Sequence, residues 1–189
     1  PKSKVGCIVN TGDYFHSDDY SARSKSGNIL DVDGRWGRVY EKGVACLIHM
    51  VGLALKKHEE VVVFCATGNH DEVASLSLAI ATRLFFANEP RVTVVDNQNK
   101  FMYYEWNNNL FGCTHGDTVK MADLGSVMAS DMPEAWGRTA DGYRYWWTGH
   151  VHHQQKKELR GCVVESFRTL AARDQWHHTK GYRSGQEMV

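Results

Sequence analysis

The chain has 189 residues, of which 42% are hydrophobic and 23% charged, so it can form one sizeable core but not two comfortable domains. Its 22 basic and 22 acidic side chains cancel, which excludes a global electrostatic attraction to nucleic acid or to an anionic membrane. We therefore expect a single domain over residues 1–189, with any anionic partner held by a local site.

The sequence lacks the signals of export or membrane insertion. No apolar run approaches the roughly 20 residues that span a bilayer, and the first residues lack the apolar segment of a signal peptide. Five cysteines without a C-x-x-C pair predict reduced, mostly buried thiols. These features predict a cytoplasmic protein with no membrane partner.

The first half of the chain alternates strand and helix patterns, which is typical of an α/β fold. The pattern predicts a strand over 5–10, an irregular polar loop over 17–34, a helix over 35–58, a strand over 60–65 and a helix over 71–88. In the second helix, the spacing predicts that Leu76, Ile80 and Leu84 face inward. The loop aspartates, Asp18 among them, are interpreted as solvated charges.

The second half is richer in strands. The pattern predicts strands over 91–95, 101–106, 109–113, 143–147 and 161–167, a mixed helical segment over 118–137 and a turn over 156–160. Asn107 and Asn108 predict a tight turn between two of these strands. The predicted fold class is α/β, as a layered sheet or a two-sheet sandwich flanked by helices.

Four short runs after predicted strands bring potential metal ligands to a glycine turn. They are TGDYFH at 11–16, TGNHDE at 67–72, THGD at 114–117 and TGHVHH at 148–153. Because Gly permits a sharp turn, the neighbouring side chains Asp13, Asn69, His115 and His150 can project beyond a sheet edge. Carboxylate, amide and imidazole donors suit manganese, iron, cobalt, nickel or zinc better than calcium. The sequence therefore predicts a divalent metal site.

The order GD-x-x-H, GNHD, THGD and GH-x-H, from Gly12 to His152, resembles the motif series of the calcineurin-like metallophosphoesterases. The longer segments LDVDGR and YRYWWTGHVHH are similar to phage or prophage members, for which the host cytoplasm is the expected location. The resemblance implies an αββα fold that hydrolyses phosphate esters with one or two divalent ions per chain, manganese first among them. In such sites, two cations about 3.5 to 4 Å apart activate water and neutralise phosphate charge.

The resemblance also implies a set of metal ligands. Asp13 is similar to the carboxylate that bridges the two ions. Asn69, His115 and His150 are similar to the other ligands of the second ion, and His152 to a ligand of the first.

Two further roles follow from the GNHD run. His70 resembles the imidazole that protonates the leaving oxygen or steadies the transition state. Asp71 would orient His70 from behind, as carboxylates commonly orient imidazoles in metal sites.

One part of the family pattern is absent. These enzymes open with a D-x-H motif, but residues 1–11 contain no Asp or His, so the first site is short of two ligands. We consider three explanations: the first strand is missing, His16 substitutes as a ligand, or the chain is a one-metal or inactive relative that serves as an interaction module. Asp174, His177 and His178 are a further candidate ligand set, with a solvated tail as the alternative.

Arg35 and Arg168 are the candidate substrate-binding residues, because a guanidinium fork matches phosphate oxygens. An equally good interpretation of Arg35 is that it keeps its loop soluble. The predicted substrate is a phosphate ester, a phosphodiester in preference to a monoester, with nucleic acid as a candidate partner. That preference rests on the resemblance, and the neutral chain argues against duplex binding. The alternative function is a catalytically silent binding module, and the oligomeric state is not predicted.

Overall fold

The computed structural model describes residues 3–24, 27, 29–30, 32–96, 98–170 and 185–188. The chain divides into two compact units, Pro1–Met102 and Tyr103–Val189. The predicted α/β class is confirmed, with two sheets and flanking helices.

The first unit is built on a three-stranded parallel sheet in the order β1-β2-β3. Its strands are β1 (Val5–Asn10), β2 (Glu60–Cys65) and β3 (Val92–Val94). Parallel neighbours need a crossover, and α1 (Trp36–Ala54) and α2 (Glu72–Phe85) supply the two crossovers. Both helices are shorter than predicted, but their order along the chain is as expected.

The core of the first unit lies between the two helices and the sheet. Val61, Val63 and Cys65 of β2 alternate along the strand, so they share one face of the sheet. The buried cluster consists of these three residues with Phe15, Leu47, Val51, Ala74, Leu78 and Ala79.

The prediction of which face of α2 packs inward is wrong. Ile80 and Leu84 are exposed by 44% and 70%, whereas the buried residues are Ala74, Ser75, Leu78, Ala79 and Thr82. Most of the buried residues are small, which lets the helix lie close to its neighbours. The larger apolar residues Ile80 and Leu84 are left on the outer face.

The second unit contains a five-stranded sheet in the order β4-β5-β6-β8-β7. The strands are β4 (Met102–Trp106), β5 (Asn109–Thr114), β6 (Tyr143–Thr148), β7 (Gln155–Leu159) and β8 (Cys162–Ser166). β5, β6 and β8 run parallel, and β7 is antiparallel to β8. The predicted turn at Asn107 and Asn108 is confirmed, and Asn107 has a φ of 51°.

The predicted turn over 156–160 is wrong, because most of that segment is strand β7. Its charged sequence, QKKEL, suits the edge of a sheet. An edge strand needs no buried face, and its lysines discourage pairing with another chain. The turn falls instead at Arg160 and Gly161, where Gly161 has a φ of 88°.

One helix of the second unit contacts Trp146 of β6. The segment between β5 and β6 forms a 3₁₀ turn (Met121–Asp123), α3 (Leu124–Asp131) and α4 (Pro133–Arg138). Trp146 is fully buried and donates its indole N–H to the carbonyl of Leu124 at 3.0 Å. Gly112 leaves room for this ring, since a Cβ there would lie 2.5 Å from it.

The prediction of buried thiols is confirmed at three of the five cysteines. Cys65, Cys113 and Cys162 are buried thiols as expected, but Cys7 and Cys46 are exposed. Within the described ranges, no helix combines the length and apolar character needed to cross a membrane.

Candidate metal centre

The loop after β1 turns through two left-handed residues. Gly12 has a φ of 96° and Asp13 a φ of 57°, and Asn10 accepts a hydrogen bond from the Gly12 N–H at 3.0 Å. His16 also has a positive φ, of 62°. A left-handed backbone is sterically unfavourable for residues other than Gly, so it persists only where the surroundings enforce it.

The Asp13 carboxylate lies against the loop that follows β2. Its Oδ1 accepts a hydrogen bond from the His70 N–H at 2.9 Å. Gly68 makes this approach possible, because a Cβ at that position would lie 2.0 Å from Asp13 Oδ1 and 2.3 Å from Asp13 N. The structure thus brings Asp13 and the GNHD run together within the first unit.

Asp71 holds the same two loops through their backbones. Its Oδ1 accepts hydrogen bonds from Asp13 N at 3.1 Å and Gly68 N at 3.2 Å, and its Oδ2 accepts one from Phe15 N at 2.8 Å. Burial raises the pKa of the Asp71 carboxyl, and the N–H donors of Phe15 and Gly68 oppose that rise. Asp71 therefore fixes the conformation of the Asp13 loop, while the role of orienting the His70 imidazole stays a prediction.

His16 and His70 place their imidazoles side by side. Their Nδ1 atoms are 3.3 Å apart, and the ring centroids are separated by 5.1 Å. At this distance the two nitrogens can share a proton or approach the same cation. His16 is thus beside the residue predicted to act as the proton donor.

In the second unit, the ends of β5 and β6 bring two more histidines together. His115 Nε2 and His150 Nδ1 are 3.3 Å apart, and the Gly149 N–H donates to the His115 carbonyl at 2.9 Å. His115 is only 1% exposed, whereas His150 is exposed. His150 and His152 have φ values of 63° and 55°.

The spacing of the His115 and His150 nitrogens fits a metal ion. Two imidazole nitrogens at 2.0–2.1 Å from one ion, in tetrahedral geometry, are separated by about 3.3 Å. The donor set predicted for one ion combines nitrogen from these histidines with oxygen from Asp13 and Asn69. Such a mixture suits a divalent transition metal.

Both arginines predicted to bind substrate are engaged by carboxylates. Arg35 makes a two-pronged contact with Asp33, with N···O distances of 2.9 and 2.5 Å. Arg168 donates to Glu187 at 2.7 Å. A substrate phosphate would have to compete with these partners.

Sequence reasoning missed two residues beside the GNHD run. Lys100 brings its amine to 3.5 Å from the Thr67 carbonyl, and Asp18 accepts a hydrogen bond from Ala74 N at 2.8 Å. Asp18 thus caps the start of α2 instead of being only a solvated charge. Neither contact has a local sequence signal, since each joins residues more than 30 positions apart.

The candidate tail ligands Asp174, His177 and His178 lie outside the residues that the structure describes. Asn69 immediately follows Gly68, one residue before His70, in the turn after β2.

Comparisons with known proteins give a distant likeness. No family model matches the chain, and no curated protein matches it. Among solved structures, it is similar to the crystal structure of a conserved uncharacterised protein from Streptococcus pneumoniae, described as a predicted phosphoesterase, at 9% sequence identity and a TM-score of 0.35. That match covers 90% of this chain and 75% of the other. The function proposed below therefore rests on the residues of this chain.

Proposed function

We propose that the chain is a divalent-metal-dependent phosphoesterase whose metal ligands come from the four glycine-turn motifs of its sequence. Asp13, Asn69, His115 and His150 would bind one ion. His152 and His16, with Asp13 as the bridge, would bind the other. This assignment joins the motif order of the sequence to the donor types found in each unit.

The main support for the proposal is the set of positions at which the backbone is strained. Six non-glycine residues in the described ranges have a positive φ, and four of them are predicted ligands: Asp13, His16, His150 and His152. Each such residue costs of the order of 1 to 3 kcal/mol, and strain of this kind concentrates at functional sites. Without a metal site at these loops, nothing would favour a left-handed backbone at these four residues.

The ions and the protein side chains have separate roles in the proposed reaction. Bound divalent ions lower the pKa of water and neutralise charge on phosphate oxygens. Asp71 accepts hydrogen bonds from two backbone N–H groups of the Asp13 loop and from that of Gly68, and the Asp13 carboxylate in turn accepts one from the His70 N–H. His70 then donates a proton to the oxygen that leaves phosphorus.

The proposed substrate is a phosphodiester in preference to a monoester, and manganese is the proposed ion. The preference comes from the likeness of the motifs to the calcineurin-like enzymes, with nucleic acid as a candidate substrate. The test compares hydrolysis of bis(p-nitrophenyl) phosphate with that of p-nitrophenyl phosphate in the presence of manganese. Faster turnover of the diester is expected, and faster turnover of the monoester would contradict the preference.

His70→Ala tests the assigned chemistry. We expect a fall in turnover of about 10²- to 10⁴-fold, the usual contribution of a general acid, with the bound manganese unchanged. His49→Ala, on the exposed face of α1, is the matched control and should retain full activity. Full activity in His70→Ala, or no turnover by the wild type with any divalent ion, would contradict the proposal.

A second candidate is a one-ion binding module without turnover. The ion pairs of Arg35 with Asp33 and of Arg168 with Glu187 favour this function, because they occupy both arginines that were predicted to bind phosphate. Stoichiometric metal with no hydrolysis of either ester would identify this function.

A further inference from the structure

The outer face of α2 carries an exposed apolar stripe. Val73, Ile80 and Leu84 are exposed by 64%, 44% and 70%. With Ser77, they follow the spacing i, i+4, i+7 and i+11, which puts them on one line along the helix. A contiguous apolar surface of this kind marks an interaction site in a water-soluble domain.

A second apolar feature, a groove, lies at the carboxyl end of α2. The groove has a volume of about 280 Å³ and is lined by residues of α1 and the end of α2, among them Ile48, Leu53, Phe85 and Phe86. Phe85 is 63% exposed and Leu53 is 46% exposed. The apolar surface thus extends beyond a single helix.

Two charges flank the stripe on the same side. Glu72 lies at the start of α2 and Arg83 near its end, eleven residues or about three turns apart. The Glu72 side chain, 3.6 Å from the Lys100 amine, remains 39% exposed. Arg83 is exposed as well.

The stripe and its two flanking charges match a second copy of the same helix that runs in the opposite direction. If a second α2 lies antiparallel across the stripe, Val73 of each copy meets Leu84 of the other, and Ser77 meets Ile80. The same register brings Glu72 of each copy to within two residues, or about 3 Å along the axis, of Arg83 of the other, a distance that these long side chains can span, so that opposite charges pair twice. A two-fold axis requires a patch that matches itself in this way.

We propose that α2 is the centre of a homodimer interface, formed by antiparallel packing of the stripe against the same stripe of a second copy. An acidic partner helix would leave Glu72 facing a like charge, and a basic one would do the same to Arg83. A second copy offers an opposite charge to each of the two residues. The groove beside Phe85 supplies further area toward the roughly 1,200 to 2,000 Å² that a stable interface buries.

Sedimentation equilibrium of the full chain tests the proposal. We expect a reversible dimer, and Ile80→Glu should raise the dimer dissociation constant at least about 100-fold by burying a charge at the centre. Ile29→Glu, at an isoleucine that is 79% exposed elsewhere in the first unit, should leave the constant unchanged. Circular dichroism of each variant checks that the fold is retained. A monomeric wild type, or a dimer indifferent to Ile80→Glu, would overturn the proposal.

A charge exchange tests the antiparallel register. Glu72→Arg and Arg83→Glu should each weaken the dimer several-fold, because each places like charges opposite one another. The double variant should restore the wild-type constant, since the pairs are re-formed with their signs reversed. A double variant no tighter than either single one would refute this register. The result does not depend on phosphoesterase activity.

Discussion

At the scale of single residues, Asp13 is held from two directions in a backbone conformation that it would not adopt alone. Asp71 accepts a hydrogen bond from its N–H, and its own carboxylate accepts one from the His70 N–H. Both contacts join residues more than 50 positions apart. The Gly12-Asp13 pair predicts a turn, but only the folded unit shows that Asp71 holds that turn through its backbone.

Gly68 is the position where a minimal change tests this arrangement. Gly68→Ala would place a Cβ 2.0 Å from Asp13 Oδ1, so the carboxylate must move away from its present position. We expect manganese affinity to fall at least about tenfold, as it does when the groups supporting a metal ligand are disturbed.

Gly52→Ala is the matched control, because nothing lies within 4 Å of its Cβ position. That substitution, in the last turn of α1, should leave metal affinity unchanged and stabilise the helix by at most about 0.5 to 1 kcal/mol. Isothermal titration calorimetry compares the two variants. Equal manganese affinity in both would show that the Asp13 position does not matter to binding.

At the scale of elements, glycine turns and continuous apolar runs predicted most of the strands, but the sequence alone could not choose the inner face of α2. That helix has two apolar stripes, one with Ala74, Leu78 and Ala79 and one with Ile80 and Leu84. Periodicity detects both stripes, and only the packing against β2 and α1 distinguishes them. Similarly, the charged strand β7 has a turn-like composition because it lies at a sheet edge.

The packing of α3 on the second sheet depends on Trp146. Trp146→Phe removes the hydrogen bond to the Leu124 carbonyl and leaves space beside Gly112. We expect the free energy of unfolding to fall by about 2 to 4 kcal/mol, from the lost hydrogen bond and the cavity together. Denaturant unfolding measures the change.

Trp106→Phe is the control for this substitution, because Trp106 is 39% exposed at the end of β4. Its free energy of unfolding should change by less than about 1 kcal/mol. Equal losses for the two variants would show that Trp146 is not a specific anchor of α3.

At the scale of the whole molecule, the proposed centre draws its ligands from loops in both halves of the chain. The motif order predicted this set of residues from the sequence. The structure adds the geometry inside each unit, including the 3.3 Å separation of the His115 and His150 nitrogens. The claim that Asp13 and His115 bind the same ion is the centre of the proposal.

Manganese binding by single and double variants tests that claim most directly. Titration calorimetry should show one or two ions per wild-type chain, and Asp13→Ala and His115→Ala should each weaken binding at least about 100-fold. Ligands of one ion act as a unit, so the double variant should lose little more than either single variant. Asp141→Ala, at an exposed carboxylate, should bind as the wild type does. Wild-type manganese affinity in either single variant, or losses that multiply in the double variant, would contradict a shared ion.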